Sequence, residues 1–184
     1  MSRLTVYPED DPARVELDTT DGDRIAVALC AIPARFERWQ ASKRLPRDVS
    51  DAAVMQAYRA DIERLKAECG YQAVDVVRCL PDNPNRQELR RKFLDEHVHD
   101  EDEVRFFVEG AGVFYLRAAG KVHALLCERG DLLGVPAGTR HWFDMGPAPC
   151  FTAVRLFTNP AGWVARYTGD PIAQGFPAFE NLCA

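Results

Sequence analysis

At 184 residues the chain suits one domain and is long enough to bury a substantial core. Its 47% hydrophobic and 28% charged residues are ordinary for a soluble globular protein, and a formal net charge of −5 argues against a nucleic-acid or anionic-membrane partner, either of which favours a basic patch. No apolar run reaches the length that crosses a bilayer, and the N-terminus from Met1 to Pro8 lacks the apolar core of a secretory leader, so the expected compartment is the cytoplasm.

In chain order, Leu4 to Tyr7 reads as a short strand ended by Pro8. Arg24 to Ala31, apolar with small residues, reads as a helix ended before Pro33. Arg35 to Trp39 alternates in polarity and reads as an edge strand with one aromatic face inward. Ser50-Asp51 offers an N-cap, and Ala52 to Glu68 is predicted as one amphipathic helix with Val54, Tyr58, Ile62 and Leu65 on one side, stopped by Gly70. Ala73 to Leu80 reads as a strand. Asn85 to Phe93 reads as a short, highly charged helix with Leu89 and Phe93 facing in.

From Glu96 on, the pattern is all β. Val104 to Val108, Val113 to Arg117, Val122 to Cys127, Asp131 to Val135, His141 to Phe143 and Phe151 to Phe157 are predicted strands. Gly110-Ala111-Gly112, Ala119-Gly120-Lys121, Glu128-Arg129-Gly130 and Pro136-Ala137-Gly138 are the predicted turns. Short strands with regular turn signals suggest a sandwich or barrel, and helices first with strands later suggest an α+β chain, mainly β, with helices packed outside. With no repeat, low-complexity segment or linker, one domain over residues 1–184 is expected. The six cysteines, at 30, 69, 79, 127, 150 and 183, form no C-x-x-C. Those at 30, 79, 127 and 150 lie in apolar segments and are expected to be small buried hydrophobes, reduced like the rest.

The chemistry concentrates in residues 96–105. His97 and His99, two apart in a strand, project from one face. The acidic run from Asp100 to Asp102 is a poor strand former that should turn, bringing Glu103 back to that face. Two imidazoles and a carboxylate are a ligand set for a first-row transition metal, and His141, after the turn Pro136-Ala137-Gly138, offers a fourth ligand. Four ligands leave two positions of an octahedral metal open, which suits a bidentate substrate, whereas a structural zinc site is closed and often built on cysteine. These donors fit Fe(II), Ni(II), Cu(II) or Zn(II) alike. Arg105, two residues beyond Glu103, should share its inward face, either stabilising a substrate anion or simply pairing with Glu103 or Glu96. Phe93, Phe143 and Trp163 either wall a substrate pocket or pack the barrel, and Arg155 is the reserve candidate for anchoring an anion. Glu96 and Asp102 are candidates for orienting the imidazoles, and Asp102 alternatively for a general base. His123, mid-strand and outside both motifs, reads as structural.

These residues carry a family resemblance. Gly130 to His141 matches the second cupin motif, G-D-x-x-x-x-P-x-G-x-x-H, in full, while the first motif keeps its H-x-H but has Lys92-Phe93-Leu94-Asp95-Glu96 where it usually begins with glycine. The stretch from Phe93 to Phe143, with E-H-x-H-x-x-D-E-V-R-F-F-V-E-G, closely resembles acireductone dioxygenase of the methionine salvage pathway, in its bacterial branch; Arg35 to Trp39 and Phe157 to Trp163 extend the likeness. The resemblance implies a jelly-roll-like cupin barrel, with an N-terminal elaboration over about residues 1–92 and a metal-binding core over about 93–160. It implies one Fe(II) or Ni(II) per chain, held by His97, His99, Glu103 and His141, with Arg105 orienting the substrate. It also implies a monomer acting on O2 and 1,2-dihydroxy-3-keto-5-methylthiopentene. The implied products are formate and 2-keto-4-methylthiobutyrate with iron, or formate, carbon monoxide and 3-methylthiopropionate with nickel. Two other readings compete: another cupin dioxygenase or isomerase using the same ligands on a different enol, and a non-catalytic cupin sensor. The intact ligand set and the absence of a helix-turn-helix segment weigh against the sensor.

Overall fold

A strand of 16 residues, Glu103–Ala118, runs through both layers of the molecule and determines where everything else sits. The computed structural model describes residues 1–41, 43–46, 48–159 and 164–183. In chain order its elements are β1 Arg3–Pro8, β2 Leu17–Thr19, α1 Gly22–Cys30, β3 Arg35–Arg38, α2 Asp51–Ala57, α3 Arg59–Cys69, β4 Ala73–Cys79, α4 Arg86–Leu94, β5 His97–Val98, β6 Glu103–Ala118, β7 Lys121–Glu128, β8 Asp131–Val135, β9 Arg140–Asp144, β10 Phe151–Phe157 and β11 Arg166–Tyr167. A 3-10 turn, Pro171–Gly175, and the short α5, Phe179–Leu182, follow. One antiparallel layer runs β11-β5-β9-β6-β7-β1-β2, the other β4-β10-β6-β8-β3, and β6 belongs to both. The mainly β, jelly-roll-like expectation is met. The layers do not close into a barrel among the described residues: β2 and β11 end one layer, β3 and β4 the other.

Gly110-Ala111-Gly112 is not the predicted hairpin turn but a corner inside β6. Glu103, Arg105 and Phe107 face the interior before it; Gly112, Phe114 and Leu116 face it afterwards, so the inward parity flips by one residue. The flip falls at Val108, where the pairing with β10 slips by one residue between Phe107 and Glu109; Gly110 follows with φ +72°, where an added Cβ would lie 1.7 Å from the Cys150 carbonyl oxygen. Glycine supplies both the left-handed backbone and the missing side chain.

The predicted helix over 52–68 is two helices, α2 and α3, divided at Tyr58 (φ −109°, ψ 18°). Tyr58 is buried, its ring packs edge-on against Phe106 and its hydroxyl donates to the Lys43 carbonyl, so tertiary contacts outweigh helix propensity there. The caps follow the sequence: the Asp21 carboxylate accepts from Asp23 and Arg24 N–H, Ser50 Oγ from Ala53 N–H, and Gly70 ends α3 with φ +74°. Leu89 and Phe93 of α4 pack, half-buried, against the interior core.

Three apolar clusters result. The interior one joins both layers through Phe107, Phe114, Leu116, Phe143 and Phe151. A second lies between α2, α3 and the outer face of the β4-β10-β6-β8-β3 layer. The third is covered by the C-terminal residues Phe176 and Leu182 over Tyr115 and Trp142. Among the cysteines, Cys79 and Cys127 are buried as expected, but Cys30 is exposed at the end of α1 and Cys150 half-buried; all six are free thiols. No helix among the described residues is long and apolar enough to cross a membrane.

Candidate metal centre

His97 and His141 face each other across the β5–β9 pair, and Leu116, His123, Val6 and Leu17 continue the same transverse row through β6, β7, β1 and β2. The row brings two imidazoles from distant sequence onto one inward face. His99, two residues beyond His97, adds the third, and the three ligand nitrogens lie within 4.8 Å of one another. Glu103 opens β6 beside them: its Oε2 lies 3.4 Å from His99 Nε2 and 3.6 Å from His141 Nε2. All four side chains are buried.

Main-chain carbonyls orient each ring. His97 Nδ1 meets the Asp95 carbonyl at 2.7 Å, His141 Nδ1 that of Thr139 at 2.7 Å, and His99 Nδ1 that of Val164 at 3.3 Å. A carbonyl cannot donate, so each Nδ1 carries the proton and each Nε2 presents a lone pair to the shared centre. Burial, reinforced by the neighbouring His141 ring, pushes His97 down to about 4, and burial also lowers His99, so these imidazoles are neutral near pH 7. Burial on its own would raise the Glu103 carboxyl; the adjacent Arg105 guanidinium is the largest opposing influence, and Glu103 is held well below the ordinary carboxylate range.

Among the described residues, Glu103 Oε2 and His141 Nε2 are buried without a hydrogen-bond partner. Imidazole nitrogen lone pairs and a carboxylate oxygen aimed at one point are all acceptors with nothing to offer each other, and buried unpaired acceptors are costly. A cation resolves this: ligands about 2.1 Å from a metal sit roughly 3–4 Å apart, close to the spacing found. The donor set therefore fits a divalent transition metal.

Arg105, 3% exposed, donates Nε to Glu103 Oε1 at 2.6 Å, while its Nη1 is buried with no partner among the described residues. Its guanidinium lies 4.9, 5.1 and 5.7 Å from the rings of Phe114, Phe143 and Phe93. Phe143 reaches this position because residue 112 is glycine; a Cβ there would come within 2.2 Å of the ring. Arg155, opposite Arg105 in the β10–β6 ladder, is engaged on two sides by Asp75, at 2.9 and 2.6 Å. Trp163 lies outside the described residues.

Neither of the two other candidate carboxylates touches an imidazole directly. Glu96 is buried, but its oxygens accept from Thr168 Oγ1 at 2.8 Å and Arg117 Nη1 at 3.2 Å. Asp102 is exposed and accepts from the Ala137 N–H at 2.8 Å. The main chain performs the orienting role at all three rings. His123 is buried, with Nδ1 on the Leu116 carbonyl, two strands away from His141.

Sequence reasoning missed the segment after 163. Strand β11 pairs Tyr167 with His97, the Tyr167 ring lies 5.9 Å from the imidazole, Val164 supplies the carbonyl for His99, and Thr168 N–H bonds the Glu96 carbonyl. A two-residue strand of Arg and Tyr has no periodicity to detect.

The family profile described as "ARD/ARD' family" matches residues 3–165. Acireductone dioxygenase of Parvibaculum lavamentivorans is 60% identical over 181 residues, covering 98% of both chains, and that of Xanthomonas axonopodis pv. citri 53% identical over 179 residues, covering 97% of this chain and 95% of the relative. Among solved structures, acireductone dioxygenase from Bacillus anthracis with a cadmium ion in its active centre superposes with a TM-score of 0.80 at 28% identity, over 91% of this chain and 98% of the other. The cupin-like fold, the match across residues 3–165 and relatives above half identity along nearly the whole length agree: the chain belongs to the ARD/ARD' family.

Proposed function

We propose that this protein is an acireductone dioxygenase in which His97, His99, Glu103 and His141 hold one Fe(II) or Ni(II) per chain. The carrying observation is the convergence of three imidazoles on a buried carboxylate oxygen that has no hydrogen-bond partner among the described residues. The metal, when bound, supplies Lewis acidity and a template for two adjacent substrate oxygens. The cadmium in the active centre of the Bacillus anthracis relative supports a metal at this place in the fold.

The chain's own residues perform the rest. Arg105 keeps Glu103 ionised through its Nε and offers Nη1 to the anionic oxygens of the ene-diol substrate. Phe93 and Phe143 form the apolar wall for the methylthio tail and exclude water, strengthening the guanidinium–anion contact. Arg155, held by Asp75 through Nε and Nη2, is not the anchor for the substrate anion in this reading.

The reaction is O2-dependent carbon–carbon cleavage of 1,2-dihydroxy-3-keto-5-methylthiopentene, a step of methionine salvage. The products are formate and 2-keto-4-methylthiobutyrate in the iron form, and formate, carbon monoxide and 3-methylthiopropionate in the nickel form. The same reading makes the protein a single-domain, cytoplasmic monomer acting on small molecules. Oxygen uptake and product analysis after separate reconstitution with Fe(II) and Ni(II) test it: O2 should be consumed only with acireductone and metal together, and the product sets should differ between the two metals. Failure to consume O2 in both metal-loaded forms would refute the assignment.

A further inference from the structure

We infer that Asp102 is a positioning residue for His141, acting through the Pro136–Thr139 turn. The inference rests on the metal-centre reading above and deepens it. The turn closes with Thr139 N–H on the Pro136 carbonyl at 3.1 Å and has Gly138 in the left-handed region at φ +74°. Such a turn leaves the two inner N–H groups, here Ala137 and Gly138, pointing outward and unpaired within the turn. Both are taken up by the loop between His99 and Glu103: Gly138 N–H bonds the His99 carbonyl at 2.9 Å, and Ala137 N–H bonds Asp102 Oδ1 at 2.8 Å. On its other side the turn presents the Thr139 carbonyl to His141 Nδ1 at 2.7 Å.

The turn is thus a bracket between the H-x-H-x-x-x-E segment and the later histidine. Of its two bonds to the loop, one is main chain to main chain and survives any side-chain change; the other depends on Asp102 alone. Neighbouring carboxylates divide the work. Glu103 is 1% exposed and faces the imidazoles, while Asp102 is exposed and faces the turn. Removing the Asp102 acceptor frees the Ala137 peptide, loosens the turn and lets the Thr139 carbonyl and the His141 ring rotate together. Outer partners of metal-ligating imidazoles act in this way, fixing the ring so that ligand geometry does not have to be assembled at binding. A general base would require the carboxylate's charge; this role requires only its oxygen as an acceptor.

Asparagine keeps an acceptor oxygen in the same place and removes the basicity. Co(II) can report the centre without turnover, through its visible absorption on titration into the apoprotein. Asp102→Ala should bind Co(II) about tenfold more weakly than wild type with an altered ligand-field spectrum. Asp102→Asn should restore the wild-type spectrum and bring affinity and kcat/KM to within about threefold of wild type. Two results would overturn the inference. In one, Asp102→Ala and Asp102→Asn bind Co(II) as wild type does yet both lose turnover, which would make Asp102 a proton acceptor. In the other, Asp102→Ala matches wild type in every readout. Should Asp102→Ala not fold, Asp102→Asn alone still decides, because loss of Co(II) affinity or of turnover in it contradicts a role that needs only the acceptor. His97→Ala is the control: wild-type Co(II) binding there would overturn the metal centre itself, and the role of Asp102 with it.

Discussion

Arg105 is placed where one side chain can serve both a proposed metal ligand and a proposed substrate. Its Nε occupies Glu103 Oε1, which leaves Oε2 as the carboxylate oxygen facing the imidazoles. Its Nη1 is a buried donor without a partner, held among Phe93, Phe114 and Phe143. Both alternatives read from the sequence, an ion pair with Glu103 and an anchor for an anion, therefore have an atom available. Losing a charged hydrogen bond to a buried anion should cost roughly 2–4 kcal/mol in the transition state, so Arg105→Ala should lower kcat/KM by about two to three orders of magnitude. Removing the partner of a buried carboxylate should also weaken metal binding. Arg105→Lys should recover part of the rate, since ammonium keeps the charge but not the planar fork. Steady-state kinetics at full metal loading measure this; a kcat/KM within about threefold of wild type would leave Arg105 as Glu103's ion-pair partner only.

At the scale of elements, the motifs were legible because their side chains obey short-range periodicity. His97 and His99 share a face by alternation, and His141 follows a turn whose Pro and Gly announce it. What was hidden depends on distant partners. Gly110 looks like a hairpin turn in sequence, and only Cys150, across the β6–β10 ladder, shows it to be a corner. Tyr58 looks helical until Phe106 and Lys43 are placed around it. The C-terminal segment is fastened by the same kind of non-local contact. Asp144 of β9 is fully buried, takes two bonds from Arg90 of α4 at 2.7 and 2.9 Å, and accepts from the Gly146 and Phe179 N–H groups; Arg90 also grips Glu180 of α5. Burial would raise the Asp144 carboxyl, but Arg90 and the two amides win and lower it. A carboxyl lowered on folding adds stability above its unfolded value of about 4, and that stability is lost as pH falls through the lower folded value. Asp144→Ala should therefore destabilise by about 3 kcal/mol at pH 7, the cost of removing the buried carboxylate from Arg90 and leaving the Gly146 and Phe179 N–H groups without their acceptor. The gap to wild type should narrow as pH falls below about 4. Urea denaturation of both proteins across that range checks the magnitude and the sign; a gap independent of pH would remove Asp144's charge from the explanation.

At the scale of the molecule, the sequence reading identified the mainly β fold and the four converging side chains, but not the order of the strands or what covers the centre. Strand order is set by pairings such as β5 with β9 and β11, which join residues more than 40 positions apart and leave no local trace. The final result is a sheet whose transverse row places His97 beside His141, a loop that returns Glu103 to them, and a C-terminal strand that supports the row from its edge. That arrangement fits a divalent metal ion. The most direct test is metal content per chain, measured by plasma mass spectrometry on the reconstituted wild type and on His141→Ala and His123→Ala. The structure predicts about one divalent ion in wild type and in His123→Ala, and a small fraction of that in His141→Ala. Full occupancy in His141→Ala would contradict the centre described here.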